Sequence, residues 1–242
     1  MGRGIRLRAY LMRTGEFKRA SDVIELVESG KVLVSGKLVT NPEHHIKQTD
    51  LVQIKDGKIL KPRSFVYIIF NKPIGFVCQK SDEEKSIYDL IEKIPELEKE
   101  TKKTLFSVGR LDRDTEGLLI VTNDGKLANK ILRPEKHIQK TYLVETEKII
   151  TGQNIKKLQD GVTISEGGYF VKALKVNLIS SKKAQMVIDE GKKRQIRLMF
   201  EAIGNRVIGL KRIAISNLKL ESLDFKGKNY IITTKELLEG RI

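Results

Sequence analysis

The stretch VGRLDRDTEGLLIVTNDG, residues 108–125, decides how the rest of the chain is read. It sets Asp112 and Asp114 in a short polar turn, followed directly by the apolar run LLIVT at 118–122. A continuous apolar run between Gly117 and the Asn123-Asp124-Gly125 turn predicts a strand buried on both faces. A charged turn abutting such a strand can hold a carboxylate partly out of water and aim it into a cleft. It can equally be a plain turn whose aspartate bonds its own backbone, and the residues alone leave both readings open. Arg110 is close enough to pair with either carboxylate. Asp112, Asp114 and Glu116 also mimic the opening of a calcium loop, which needs a bidentate glutamate at its twelfth position. The twelfth residue here is Asn123 and the ninth is Ile120, inside the apolar run, so the calcium reading fails.

Downstream of this stretch, KLANKIL reads as a short helix, and KTYLVET, FVKALKVNLI and KAQMVIDE read as strands around the helix-like NIKKLQDG. In KRQIRLMFEAIG, Ile196, Met199, Phe200 and Ile203 form an apolar stripe at helical spacing, and Gly204 ends it. RVIGLKRIAI then returns as a strand. Upstream, VYIIF is a strand ending at NKPIG, and SIYDLIEKI is an amphipathic helix. Strands outnumber helices and follow one another directly, which predicts an α+β domain over 65–242 with a mainly antiparallel mixed sheet. Before it, residues 5–15 and 19–29 read as two short helices, the second stopped by Gly30. KVLVSGKLVTNP is a hairpin about Ser35-Gly36-Lys37, and a further strand runs over 51–54. Two helices and a small sheet make a compact module over 1–61. Residues 58–64, which contain Pro62, read as a flexible link.

Charge is the informative part of the composition. The 242 residues carry 46 Lys plus Arg against 31 Asp plus Glu, a formal net charge of +15. Such a field attracts polyanions, either nucleic acid or an acidic membrane surface. Both parts are positive: 12 basic against 7 acidic side chains in residues 1–61, and 34 against 24 in the remainder. No apolar run approaches the ~20 residues that span a bilayer, and the basic N-terminus lacks the apolar core of a secretory signal. Cys78 is the only cysteine, which excludes an intrachain disulfide and a cysteine-rich zinc site and fits a reducing, cytoplasmic setting. His44, His45 and His137 are too scattered for a zinc site, and no glycine-rich phosphate loop follows a strand. No metal and no cofactor is expected.

Four motifs, in order, resemble the rRNA pseudouridine synthases that modify single sites. GRLDRDTEGLLIVTNDG resembles the central motif of that family. NKPIG (71–75) looks like the strand and turn that open its catalytic domain, and KTYLV (140–144) like the motif whose tyrosine lines the pocket. EGKKRQIRLMFEAIG (190–204) followed by LKRIAI looks like its closing helix and strand. Residues 5–39 resemble the alpha-L RNA-binding module of a ribosomal protein. That module's helix often starts Ser-Arg-Arg; here Phe17-Lys18-Arg19 keeps the cations and loses the capping serine.

The resemblance implies an enzyme that detaches a uracil, turns it and rejoins it through carbon 5, with no redox change and no cofactor. Asp112 is then the indispensable carboxylate, as nucleophile at the anomeric carbon or as base at the ribose. Arg197 pairs with it, Tyr142 stacks on the flipped uracil, and Ile196 packs beneath the base. Arg110 enters the gap the base leaves, a role suited to a planar guanidinium. Arg194 and Lys140 are further RNA contacts, and Lys18 and Arg19 are the cations of the N-terminal module. Asp114 reads as a turn residue. RQIR (194–197) looks more like large-subunit than small-subunit members, which favours 23S over 16S rRNA. The expected partner is ribosomal RNA, free or in an assembling subunit, met by a monomer without a membrane. A non-catalytic ribosome-assembly factor on the same fold is the competing reading, and the set Asp112, Tyr142 and Arg197 argues against it.

Overall fold

The computed structural model describes residues 4–17, 19–47 and 49–242. The chain divides into two compact units, Met1–Phe65 with Leu90–Phe106, and Val66–Asp89 with Ser107–Ile242. In the first unit, β1 (Ile5–Arg6) leads into α1 (Leu7–Met12), and α2 (Ala20–Glu28) follows. β2 (Val32–Val34), β3 (Lys37–Val39), β4 (His45–Ile46) and β5 (Val52–Ile54) come next, with β3-β2-β5 forming a sheet and β1 pairing β4. Leu7 and Leu11 share one face of α1, and Val23 and Val27 one face of α2. They close over Val32, Val34, Ile46, Val52 and Leu60. Burying each such side chain contributes about 1.5–3 kcal/mol. The β2–β3 turn places Ser35 and Gly36 at φ 49° and 79°, as a two-residue hairpin with this twist requires.

Three expectations are revised here. The first helix starts at Leu7, not residue 5, because Ile5 and Arg6 are taken into the ladder with Ile46 and His45. Residues 58–64 are not a free link. Leu60 is 2% exposed in the core, Tyr10 donates to its carbonyl at 3.0 Å, and Arg63 exchanges bonds with Arg13 at 2.7 and 2.8 Å. Leu90–Phe106, assigned from sequence to the second domain, groups with the first unit. There the Arg63 guanidinium meets Glu98 at 3.2 Å, and the Gly15 backbone passes so close to the Glu100 carbonyl that a Cβ would stand 2.5 Å from it.

The second unit is built on a nine-stranded sheet. Its strands are β6 (Tyr67–Lys72), β7 (Phe106–Val108), β8 (Glu116–Thr122), β9 (Lys140–Thr146), β12 (Lys175–Ser180), β13 (Lys183–Ile188), β14 (Val207–Ile215), β15 (Leu218–Lys219) and β16 (Tyr230–Thr233). The short pair β10 (Val162–Thr163) and β11 (Phe170–Val171) stands apart from it. Among the later helices, α3 (Ile87–Glu92) spans the boundary of the two units and α4 (Lys99–Thr104) lies in the first. α5 (Gly125–Leu132), α6 (Gly152–Asp160), α7 (Gln195–Ala202) and α8 (Lys235–Glu239) belong to the second. The sheet runs β12-β13-β9-β14-β8-β6-β16, with β7 beside β8 and β15 beside β14. Along that path β14 and β8 run parallel, and the other neighbours are antiparallel. The fold is thus the α+β class expected, with a mainly antiparallel mixed sheet. Leu118 to Val121 are fully buried, which is why this strand reads as a continuous apolar run. FVKALKVNLI is two strands and not one: the Ala173 N–H turns away to the Leu158 carbonyl of α6 at 2.8 Å, breaking the ladder between β11 and β12.

Candidate active site

The sequence between β7 and β8 folds as a tight turn closed by the Thr115 N–H on the Asp112 carbonyl at 3.0 Å. Its position at the end of β8 depends on Gly117. That residue has φ 109°, and a Cβ on it would meet the Arg212 carbonyl oxygen at 2.3 Å. Only a glycine lets β8 and β14 approach there. Asp112 is half-buried, and its carboxylate has no hydrogen bond or ion pair among the described residues. It lines a cavity of about 640 Å³, within the ~300–1,000 Å³ typical of small-ligand sites.

Most of the site residues expected from the sequence meet in this cleft. Arg110 comes from the turn, Lys140 and Tyr142 from β9, and Arg194 and Ile196 from the start of α7. Tyr142 is 8% and Ile196 3% exposed, while Arg110 and Arg194 are open to solvent. Arg194 holds a left-handed φ of 51° as the residue before α7, an uncommon conformation for a long side chain. Lys and Arg outnumber Asp and Glu seven to three along the walls, so the cleft as a whole attracts an anionic chain. Burial pulls the Lys140 pKa below the ordinary lysine range and Arg212 pushes the same way, against Asp189 and Glu190.

Arg197 is placed differently from its sequence reading. It does not line the cleft and does not pair with Asp112. Its guanidinium donates to the Asp114 carbonyl at 2.8 Å and the Val207 carbonyl at 3.1 Å, and it forms an ion pair with the Asp114 carboxylate at 3.2 Å. The turn explains this: closing between Asp112 and Thr115, it presents Asp114 to α7 and leaves Asp112 facing the cavity. Arg194 reaches the same carboxylate at 3.4 Å. Asp114 is therefore more than a turn residue; it joins the turn to α7. In the first unit, Arg19 precedes α2 with its side chain 79% exposed, and the Asp22 carboxylate caps the helix by accepting the Arg19 N–H at 3.2 Å. Lys18 lies outside the described residues.

Two cations escaped the sequence reading. Lys72, fully buried at the end of β6, donates to the carbonyls of Pro73 at 3.0 Å and Phe76 at 2.8 Å. Burial lowers its pKa, while Cys78 and then the carboxylates Asp114, Asp112 and Glu116 raise it. Arg212 of β14 is 4% exposed and lines the cleft. The signal for both was a cation in a strand pattern. Lys72 continues YIIFN, and Arg212 falls in step with inward-facing Leu210 and Ala214.

The family model described as RNA pseudouridylate synthase matches residues 66–202, more than half of the chain. The ribosomal large subunit pseudouridine synthase B of Bacillus subtilis is 36% identical over 205 residues, 82% of this chain and 81% of that protein. The dual-specificity RNA pseudouridine synthase RluF of Escherichia coli K12 is 33% identical over 97% of this chain and 78% of its own length. The ribosomal small subunit pseudouridine synthase A of Yersinia pestis is 31% identical over 86% and 84%. A crystal structure of a pseudouridylate synthase superposes with a TM-score of 0.67 at 27% identity, over 99% of this chain and 100% of that one.

Proposed function

This chain belongs to the RNA pseudouridylate synthase family and is an RNA pseudouridine synthase, and from that premise we propose that it isomerises a uridine of ribosomal RNA with Asp112 as the reacting carboxylate. The observation that carries the assignment of Asp112 is a carboxylate without a partner among the described residues, in a cleft walled by Tyr142 and by cations. A carboxylate is ionised at neutral pH without an activating base, and it can serve either as nucleophile at the anomeric carbon or as base at the ribose. The target base is flipped out of its stack to reach it. Tyr142 gives that base an aromatic face and Ile196 an apolar floor. Arg110, exposed and without a partner among the described residues, is free to fill the vacated stack. Exposed Arg194 serves a phosphate.

For the target, RQIR at 194–197 and the large-subunit enzyme matched at 36% identity both favour 23S rRNA, with 16S rRNA as the alternative supported by the small-subunit relative at 31%. Loss of tritium from carbon 5 of uridine in unmodified 16S and 23S transcripts measures the reaction directly. Asp112→Asn removes the charge and nearly keeps the shape, so release is expected to vanish while RNA affinity stays within about threefold. Release by the variant within tenfold of the natural chain would remove Asp112 from the chemistry. Carbodiimide mapping of rRNA from a deletion strain identifies the uridine.

A further inference from the structure

Arg212 is 4% exposed, yet among the described residues its side chain makes one hydrogen bond, from Nε to the Leu118 carbonyl at 2.7 Å. Its Nη2 is buried with no partner, and no carboxylate pairs with it among the described residues. An arginine carries five N–H donors, and burying a charge without satisfying them is costly. The side chain stands directly across the antiparallel ladder from Tyr142, so the two share a sheet face and both line the cleft. Lys140 is two residues before Tyr142 on the same strand face and on the same wall. Two cations are thus held close to the site of base stacking with less negative charge than they could use.

The substrate supplies that charge during the reaction. When the C1′–N1 bond breaks, its electron pair stays on the base and spreads over N1 and the carbonyl oxygens. This holds whether Asp112 has bonded to C1′ or has taken a proton from the ribose. Carbon 5 then bonds to C1′ as the Asp112–C1′ bond breaks, or as the ribose takes back the proton that Asp112 removed; the carbon 5 proton passes to water and N1 takes one from water, so nothing is oxidised or reduced. We propose that Arg212, with Lys140 beside it, is the subsite that donates to a carbonyl oxygen of the uracil and stabilises its charge while it is detached. The inference rests on the uridine-isomerising reading above. Phosphates are better served by the exposed cations Lys192, Lys193 and Arg194 than by a guanidinium this deeply buried. Donors fixed before the reaction act most strongly where water is excluded.

The test uses the full chain in single turnover on tritiated 16S and 23S transcripts, with RNA affinity and urea unfolding measured alongside. Arg212→Gln is expected to slow release about 10²–10³-fold, as loss of one such donor does, with RNA affinity unchanged within about threefold. Arg212→Lys keeps the charge without the planar fork and recovers part of the rate. A Gln variant that releases tritium at a near-natural rate overturns the inference. So does a variant with an unchanged rate but weaker, less salt-dependent RNA binding, which would make Arg212 a phosphate contact. Failure of both variants to fold would make the residue structural and also overturn it. No release by the natural chain from either transcript would overturn the rRNA reading beneath it.

Discussion

Arg197 bonds two carbonyls and one carboxylate, and all three lie away from the cavity. It therefore acts through the turn that presents Asp112, as a positioning residue, and burial does not cost it its charge because an arginine stays protonated. Arg197→Met takes the guanidinium donors away from the Asp114 and Val207 carbonyls, an expected loss of about 2–4 kcal/mol in urea unfolding. Its coupling to Asp114→Asn in a double-mutant cycle is expected to be about 1 kcal/mol, because water screens a carboxylate whose side chain is 46% exposed. Coupling to Asp112→Asn is expected to be near zero. A larger coupling to Asp112 than to Asp114 would reinstate the pairing the sequence suggested. Spacing along a motif tells which residues share a turn; it does not tell which of two aspartates, two positions apart, faces the helix and which the cleft.

At the scale of elements, the site is a consequence of β8 and β14 running parallel and close. Gly117→Ala puts a Cβ against the Arg212 backbone at a φ of 109°, so one of the two strands must move. The expected cost is at least about 2–3 kcal/mol of stability, with activity lost even where the variant remains folded, since Arg212 and the Asp112 turn shift together. A variant with natural stability and turnover would show that the close approach is not needed. Much of this frame was legible beforehand. β8 announced itself by LLIVT, β9 by the alternation in KTYLVET, and α7 by Ile196, Met199 and Phe200. Each pattern records burial, and burial follows directly from side-chain type. What was not legible depended on distant partners: the Leu158 carbonyl that splits FVKALKVNLI, the His45–Ile46 strand that captures Ile5 and Arg6, and the Arg13 bonds that pin residues 58–64.

For the whole molecule the strongest long-range influence is the charge of +15, of which residues 1–61 contribute +5, 12 basic against 7 acidic. Whether that first part reads RNA can be tested by its share of the salt dependence, because each phosphate neutralised releases counterions and steepens the fall of affinity with salt. Deleting residues 1–61 is a poor way to ask. Leu90–Phe106 belongs to the same compact unit, and Gly15 sits against the Glu100 backbone, so the deletion would strip this segment of much of its packing. Charge removal within the intact chain avoids that. Lys18→Gln with Arg19→Gln takes out the two cations that the alpha-L resemblance points to. Arg19→Gln costs the fold the Arg19–Asp22 ion pair, which is exposed and contributes about 0–1 kcal/mol; the Arg19 N–H that Asp22 caps is retained. If both cations meet phosphates, the slope of log affinity against log salt falls by about 1.4–1.8, from roughly 0.7–0.9 per contact. Single-turnover tritium release at saturating enzyme should then be unchanged, since saturation offsets weaker binding and Arg19 is not among the residues lining the cleft. An unchanged slope would mean that this part of the chain contacts something other than RNA, and that the binding field comes from the 34 basic side chains of residues 62–242.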